Sequence, residues 1–236
     1  GGGRPGRNRR GLYFLPIPVF FVNSESSFMK HAAITVGLIM VLSLSGQAGE
    51  DPFADETVRK VQALHDEAVA GGKDQTEALV TELDRLLESD PKNTIFLAYL
   101  GSAYTLRSRD AFPGPSKFSF LKNGLKTMDR AVNMEPKNPA PRFIRAMNNF
   151  SLPAIINRRD NAREDFEVLL SQIEDPSNPF QLRESTRQAI YYFAGLSFQQ
   201  LDRDSEARAA WNKGLRLKSS PEFTEKITSA LAKLND

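Results

Sequence analysis

Two four-residue turns, DPKN at Asp90–Asn93 and EPKN at Glu135–Asn138, lie 45 residues apart, and each is followed at once by an apolar run with helical spacing. A turn that recurs with the same neighbours implies that one unit is written several times. Such units must stack to bury their apolar faces. From Asp55 onward no stretch alternates with period two, and no Asn-Gly or Asp-Gly turn joins strand-like runs, so the body of the chain reads as all-α. Val58, Val61, Leu64 and Ala68 form one stripe, Gly71-Gly72 interrupts it, and Ala78, Leu79, Leu83, Leu86 and Leu87 form the next. Two antiparallel helices follow from that order, closed by Pro91.

Composition narrows the chemistry. Of 236 residues, 40% are hydrophobic and 25% charged, a balance that favours a folded chain over a disordered, collagenous or polytopic membrane one. Cysteine is absent, which removes disulfides, thiolate catalysis and zinc–thiolate sites. Histidine occurs only at His31 and His65, so paired imidazoles for a metal or a nucleophile are not available. His65 stands beside Asp66 and Glu67, but neighbours on a helix point apart and cannot converge on one ion, so it is expected at the helix surface or satisfied within the fold. No metal site, cofactor or catalytic group is expected.

The first 48 residues stand outside the repeat. Met29 opens a cationic start at Lys30, thirteen mostly apolar residues from Ala32 to Leu44 and small residues at Gly46 and Ala48, the layout of a secretory signal peptide over 29–48. Cleavage is expected after Ala48, because thirteen apolar residues fall short of the roughly 20 that cross a bilayer. Residues 1–28 are Gly/Arg-rich and contain no methionine, and are read as an over-extended or disordered N-terminus. An alternative signal would use Arg9-Arg10 and Leu12–Val22, although Pro16 and Pro18 break that helix. Residues 49–236 then form the folded domain, periplasmic or extracellular, with no stable membrane span.

Residues 49–236 carry 26 basic and 28 acidic side chains, so the basic balance of the whole chain comes from its first 48 residues. Acids predominate over 49–93 and bases over 94–236, and the bases are interleaved with acids rather than gathered in a stripe with aromatics. Nucleic acid is therefore not an expected partner.

The last unit has the clearest pattern: Tyr191, Ala194, Gly195 and Phe198, then Ala207, Trp211 and Gly214, with Pro221 beyond. Leu97, Leu100, Gly101 and Tyr104, then Gly124, Met128, Ala131 and Pro136, repeat it. Tyr104 to Gly124 spans 20 residues where Phe198 to Ala207 spans 9, and Pro91 to Pro136 spans 45. The first difference is eleven residues, and 45 exceeds by the same eleven the 34-residue period of the repeat considered below; the insertion is placed at Arg107–Ser119 and expected to be an irregular loop around Pro113-Gly114-Pro115. A weaker unit uses Phe143, Ala146, Met147 and Phe150, then Ala162, Phe166 and Leu169, with three extra residues near Pro153 and a register open to a slip of one. Phe223, Ile227, Ala230, Leu231 and Leu234 read as a capping helix.

These units resemble the tetratricopeptide repeat, whose signature sets an aromatic, a Leu-Gly pair and a Tyr on one helix, then Ala-x-x-x-Phe and a closing Pro. Ala194 replaces the Leu, and Pro221 comes late. Over residues 58–234 the resemblance implies a right-handed solenoid of three to four antiparallel helical hairpins with a concave groove, which usually binds proteins. By position in that family the groove would present Ile95, Ala98, Ser102 and Thr105, then Tyr192 and Gln199.

Both insertions follow the first helix of adjacent hairpins and emerge along one edge. There Arg107, Arg109, Asp110, Phe112, Phe118 and Phe120, with Leu152, Ile155, Ile156, Arg158 and Arg159, either meet a partner or cover the hairpin ends. In RFIRAMNNF, Arg142, Arg145 and Asn149 share one face that either holds a carboxylate or is solvated or paired within the chain, while Asn148 would face the groove. Asn149-Phe150-Ser151 matches a glycosylation acceptor but falls inside a packed helix. The leading expectation is a noncatalytic, exported scaffold for a peptide or protein, with self-association open. The alternative is a small-molecule or lipid-like ligand-binding protein serving a transport system. Carboxylate chemistry through Asp110, Arg142 and Asp160 has no spacing to recommend it.

Overall fold

The structure, a computed structural model, describes residues 51–234, so the expectations for 1–28 and for the 29–48 signal lie outside the described residues. The described elements are α1 (Glu56–Ala70), α2 (Lys73–Ser89), α3 (Thr94–Asp110), α4 (Pro115–Met134), α5 (Pro139–Ser151), a 3-10 turn (Ala154–Ile156), α6 (Arg159–Glu174), α7 (Glu184–Gln199), α8 (Asp204–Leu217) and α9 (Pro221–Lys233). They form four antiparallel hairpins and a closing helix, an all-α solenoid.

The recurring turns start helices as well as end them. Asn93 and Asn138 are the N-caps of α3 and α5, and their side-chain oxygens accept from the N–H groups of Phe96 (3.1 Å) and Ala140 (3.0 Å). Each asparagine N–H closes the turn on a carbonyl, that of Asp90 (3.1 Å) or Glu135 (3.0 Å). A third copy, DPSN at Asp175–Asn178, closes in the same way at 3.2 Å, but α7 begins only at Glu184.

Within each hairpin small residues let the helices approach. A Cβ on Gly195 would strike the Trp211 ring, and one on Gly101 would lie 2.5 Å from Met128 Cγ and 2.7 Å from the Gly124 carbonyl. The matching collisions confirm that Gly101–Met128 and Gly195–Trp211 are repeat equivalents. Leu83, Met128, Phe166 and Trp211, one from the second helix of each hairpin, are all fully buried. Trp211 also donates its indole N–H to the Tyr192 carbonyl at 3.0 Å.

The eleven-residue insertion is helix, not loop. Nine residues follow Gly101 in α3 but only four follow Gly195 in α7, and nine precede Gly124 in α4 where three precede Ala207 in α8. Five residues thus lengthen one helix, six lengthen the other, and both hairpins keep a four-residue connection. The physical reason is hydrogen bonding: a longer hairpin pairs the backbone groups that a loop would leave to water. Pro115 begins α4 at a position where its missing N–H costs nothing, and Ser108 Oγ donates to the Lys117 carbonyl across the new end at 2.8 Å. The three-residue insertion between α5 and α6 is irregular apart from its 3-10 turn, as Pro153 requires.

The first helices α1, α3, α5, α7 and α9 contact one another in order, whereas the second helices meet mainly their own partner and the next first helix. This makes the first helices the inner layer. In α5 the register slips by one: Ala146 is fully buried and Met147 only partly, so Ala146 rather than Met147 stands against the second helix.

Candidate interaction groove

The first helices bring together three of the sequence candidates. Ser102 and Thr105 of α3 face Asn148 of α5, with Thr105 Oγ1 2.6 Å and Ser102 Oγ 3.5 Å from Asn148 Oδ1. Thr105 Oγ1 also lies 2.7 Å from the Ser102 carbonyl, and a hydroxyl has one proton to give. Turning the Asn148 amide would let Nδ2 donate to Thr105 and free that proton for the carbonyl. As oriented, Nδ2 is buried without a partner, and in the turned amide Oδ1 takes that place.

His65 of α1 completes the row, its Nε2 2.8 Å from Ser102 Oγ and its ring 5.2 Å from that of Tyr99. Burial pushes the Tyr99 phenol well above its ordinary pKa. His65 is thus a tie between α1 and α3 rather than a surface group. The available signal was its position four residues after Val61, on the buried stripe. Ser102 and Thr105 are only 5% and 7% exposed, and Ala98 is wholly buried, so this end of the inner face is closed. The expectation that Ile95 and Ala98 line the concave groove is corrected: α3 is wedged between neighbours on nearly every side, Ala98 is wholly buried, and the little of Ile95 that is exposed borders a cleft beside the segment before α1.

The other end is open and aromatic. Phe150 of α5 meets Phe193 of α7 at 6.2 Å, and Tyr192 meets Phe193 at 5.0 Å and Phe223 of α9 at 5.7 Å. Phe150, Tyr192, Leu196 and Phe223 are only partly buried, and Gln199, the last residue of α7, is partly exposed beside them. Burial raises the Tyr192 phenol pKa. Tyr192 and Gln199 therefore face the groove, but at the opposite end from Ser102, Thr105 and Asn148.

The charged candidates are engaged within the chain. Arg107 forks onto Glu77, and that hydrogen bond holds the carboxyl below its usual range. Arg109 donates to the carbonyls of Val69 (2.9 Å), Ala68 (3.1 Å) and Gly71 (3.2 Å), capping the C-terminus of α1, and pairs with Asp110 at 2.6 Å. Asp110 also accepts from Thr76 Oγ1 at 2.9 Å. These three residues fasten the lengthened hairpin to the first one. Arg142 and Arg145 converge on Asp165, which is 2% exposed, at 3.0 and 2.6 Å, and Arg145 reaches Asp129 at 2.9 Å. They tie α4, α5 and α6, which is the intramolecular alternative of the sequence reading. Asn149 is buried with them, and Arg158 leans on Asn161 at 3.4 Å while Arg159 is exposed.

The acidic segment before α1 is part of the fold. Phe53, 5% exposed, sets its ring edge-on to Phe143 at 6.4 Å, and Asp51 pairs with Arg183 at 2.8 Å. A cleft of about 440 Å³ opens beside it, lined by Pro52, Val58, Ile95, Phe96, Asn138 and Phe180 among others. Among the described residues no cluster of three acidic or histidine side chains could hold a metal, and no helix is long and apolar enough to cross a membrane.

Among solved structures the chain is similar to TTC0263, a thermophilic TPR protein of Thermus thermophilus, at 17% identity over 73% of this chain and 81% of that one, with a TM-score of 0.52. It is also similar to MamA, at 14% identity over 76% of this chain and 84% of that one with a TM-score of 0.45. A further match, MamA MSR-1 C2, has 15% identity over 71% and 80%, with a TM-score of 0.40. No family model and no curated protein matches the sequence. The likeness to TTC0263 shows the fold, that of the tetratricopeptide-repeat proteins.

Proposed function

We propose that this protein is an exported, noncatalytic scaffold that holds a segment of a partner protein along the α5–α7–α9 end of its inner face. The observation that carries the reading is the row of partly exposed Phe150, Tyr192, Leu196 and Phe223, drawn from three helices, with Gln199 beside it. Such a row offers apolar area for a peptide side chain and an amide for its backbone. The likeness in fold to TTC0263 supports a protein-binding role. A noncatalytic role is supported by the state of the candidate acids: Asp110 and Asp165 are bound by Thr76 and by arginines, and Asp160 pairs with Arg163 at 3.7 Å. Export rests on the pattern at Met29–Ala48.

A photo-crosslinking residue at Gln199, compared with one at Val168 on α6, tests the groove in the native host. Protein adducts at Gln199 and none at Val168 are expected. Adducts at neither position would overturn the reading, and a nonprotein ligand retained in native mass spectrometry would replace it with the ligand-carrier alternative. Sequencing the N-terminus of the protein recovered from outside the cytoplasm tests export, with Gly49 expected as the first residue.

A further inference from the structure

The lengthened hairpin ends in a feature the groove does not use. Phe112, in the connection between α3 and α4, is 91% exposed, and Phe118, in the first turn of α4, is 70% exposed. Ile155, in the connection between α5 and α6, is 90% exposed. Both connections follow first helices that pack side by side, so all three side chains stand on one edge of the stack. They are three of the five exposed large hydrophobic residues in the described structure. The other two, Met134 and Val168, are only 40% and 38% exposed.

Along the α4 side of this edge the charge has one sign. From Ala111 to Met128 there is no acidic residue, and Lys117, Lys122 and Lys126 fall in that span. Lys117 turns its ammonium to the carbonyls of Arg109 and Ala111, at 3.2 and 3.5 Å. Lys122 and Lys126 are exposed and make no ion pair among the described residues, and with Phe118 and Arg130 they form a row at four-residue spacing along one face of α4. Elsewhere many exposed cations are neutralised at close range, as Lys60 is by Glu56, Arg85 by Glu82 and Lys226 by Glu222.

The edge also projects. Ser102 and Asn148 lie opposite each other, and α3 continues eight residues beyond Ser102 while α5 continues three beyond Asn148. Five extra residues carry the α3–α4 tip on the order of 8 Å past the end of α5 at the helical rise.

We propose that this edge is a peripheral membrane contact, in which Phe112, Phe118 and Ile155 enter the interface of an anionic leaflet and Lys122 and Lys126 lie against its phosphates. An anionic bilayer fits better than an acidic protein because the three apolar side chains stand out singly. A protein partner would need a separate pocket for each, whereas a lipid surface accepts all of them. The edge and the groove meet near the end of α5, but the proposal rests on Phe112, Phe118, Ile155, Lys122 and Lys126, none of which belongs to the groove row, so it stands apart from the function proposed above.

The test is flotation of the full chain with vesicles of phosphatidylcholine alone and of phosphatidylcholine mixed with phosphatidylglycerol. The expected result is binding to the mixed vesicles, weakened by high salt and reduced about tenfold by K122Q/K126Q and by F112S/F118S. All four sites are exposed, and unchanged circular dichroism of the variants verifies folding. Residues 1–50 are identical in every variant, so binding that survives both double substitutions comes from elsewhere in the chain and overturns the proposal. Absence of binding to the mixed vesicles, or equal binding to both vesicle types, overturns it as well. Binding to soluble polyglutamate that F112S/F118S leaves intact, with no flotation, assigns the edge to an acidic protein instead and also overturns it.

Discussion

The two ends of the inner face share only α5 and are built in opposite ways. Toward α1 the contacts between helices are polar and buried, with His65, Ser102, Thr105 and Asn148 drawing α1, α3 and α5 together. Toward α9 they are aromatic and partly open, through Phe150, Phe193, Tyr192 and Phe223. In a solenoid, side chains that hold first helices together and side chains that receive a ligand occupy the same positions. Whether a residue is a tie or a contact depends on whether a neighbour already uses it. The polar end has spent its hydrogen bonds internally, so its substitutions should act on stability, whereas those at the aromatic end should act on binding.

The largest effect should come from the element both ends share. Asp165→Ala leaves Arg142 largely buried without an acid and Arg145 with Asp129 alone, and a loss of about 3–5 kcal/mol is expected in urea unfolding. Next comes the scaffold under the aromatic end. Gly195→Ala forces the Trp211 ring away and should cost about 1–3 kcal/mol by the same measurement, with crosslinking at Gln199 falling because α7 shifts.

Asn148→Ala at the closed end removes the partner of Thr105 and is expected to cost about 1 kcal/mol while leaving crosslinking unchanged. Tyr192→Ser at the open end should reverse the pattern, with stability falling by less than about 1 kcal/mol and the protein adduct at Gln199 lost. If Asn148→Ala abolished the adduct and Tyr192→Ser did not, the assignment of the two ends would be inverted.

The smallest effect is a pH dependence at the open end. Burial opposes the charge of Glu167, but hydrogen bonds from Arg203 and Arg163 overcome it and set its pKa below the usual value. A carboxyl lowered in the folded state stabilises the fold fully above its unfolded pKa of about 4.3, and this contribution is lost as pH falls through the folded value. Glu167→Gln should therefore make the acid limb of the stability curve slightly shallower in that window, measured by thermal melts at stepped pH.

Helical periodicity and the two Asp/Glu-Pro-Lys-Asn turns were enough to find the hairpins, because spacing and capping are local. Asp175-Pro176 reads as the end of the third unit, but its kinship with the two earlier turns is masked because Ser177 replaces lysine and five residues separate Asn178 from α7, although the asparagine closes the turn in the same way. The insertion length was legible to the residue, but its conformation was not. Pro113-Gly114-Pro115 reads as a loop until Pro115 is seen to open a helix, and the surface that receives Arg109 and Asp110 belongs to a hairpin some forty residues away. The groove was legible only in outline. Ser102, Thr105 and Asn148 were each expected to face the groove, but that they meet one another, and that Ser102 is tied to His65 across the α1–α3 interface, no local pattern in any of these helices records.

The capping of α1 by Arg109 bears on how the molecule comes apart. End repeats of a linear array normally fray first, because each unit touches only the next. Here the far tip of the second hairpin grips the carbonyls that close α1, while Arg107 holds Glu77 and Asp110 holds Thr76 on α2. The first two hairpins are thereby joined at the tip as well as along their length. Amide hydrogens in α1 and α2 should exchange together with those of α3 and α4, as one cooperative block, and Arg109→Ala should split that block and let α1 exchange ahead of the rest.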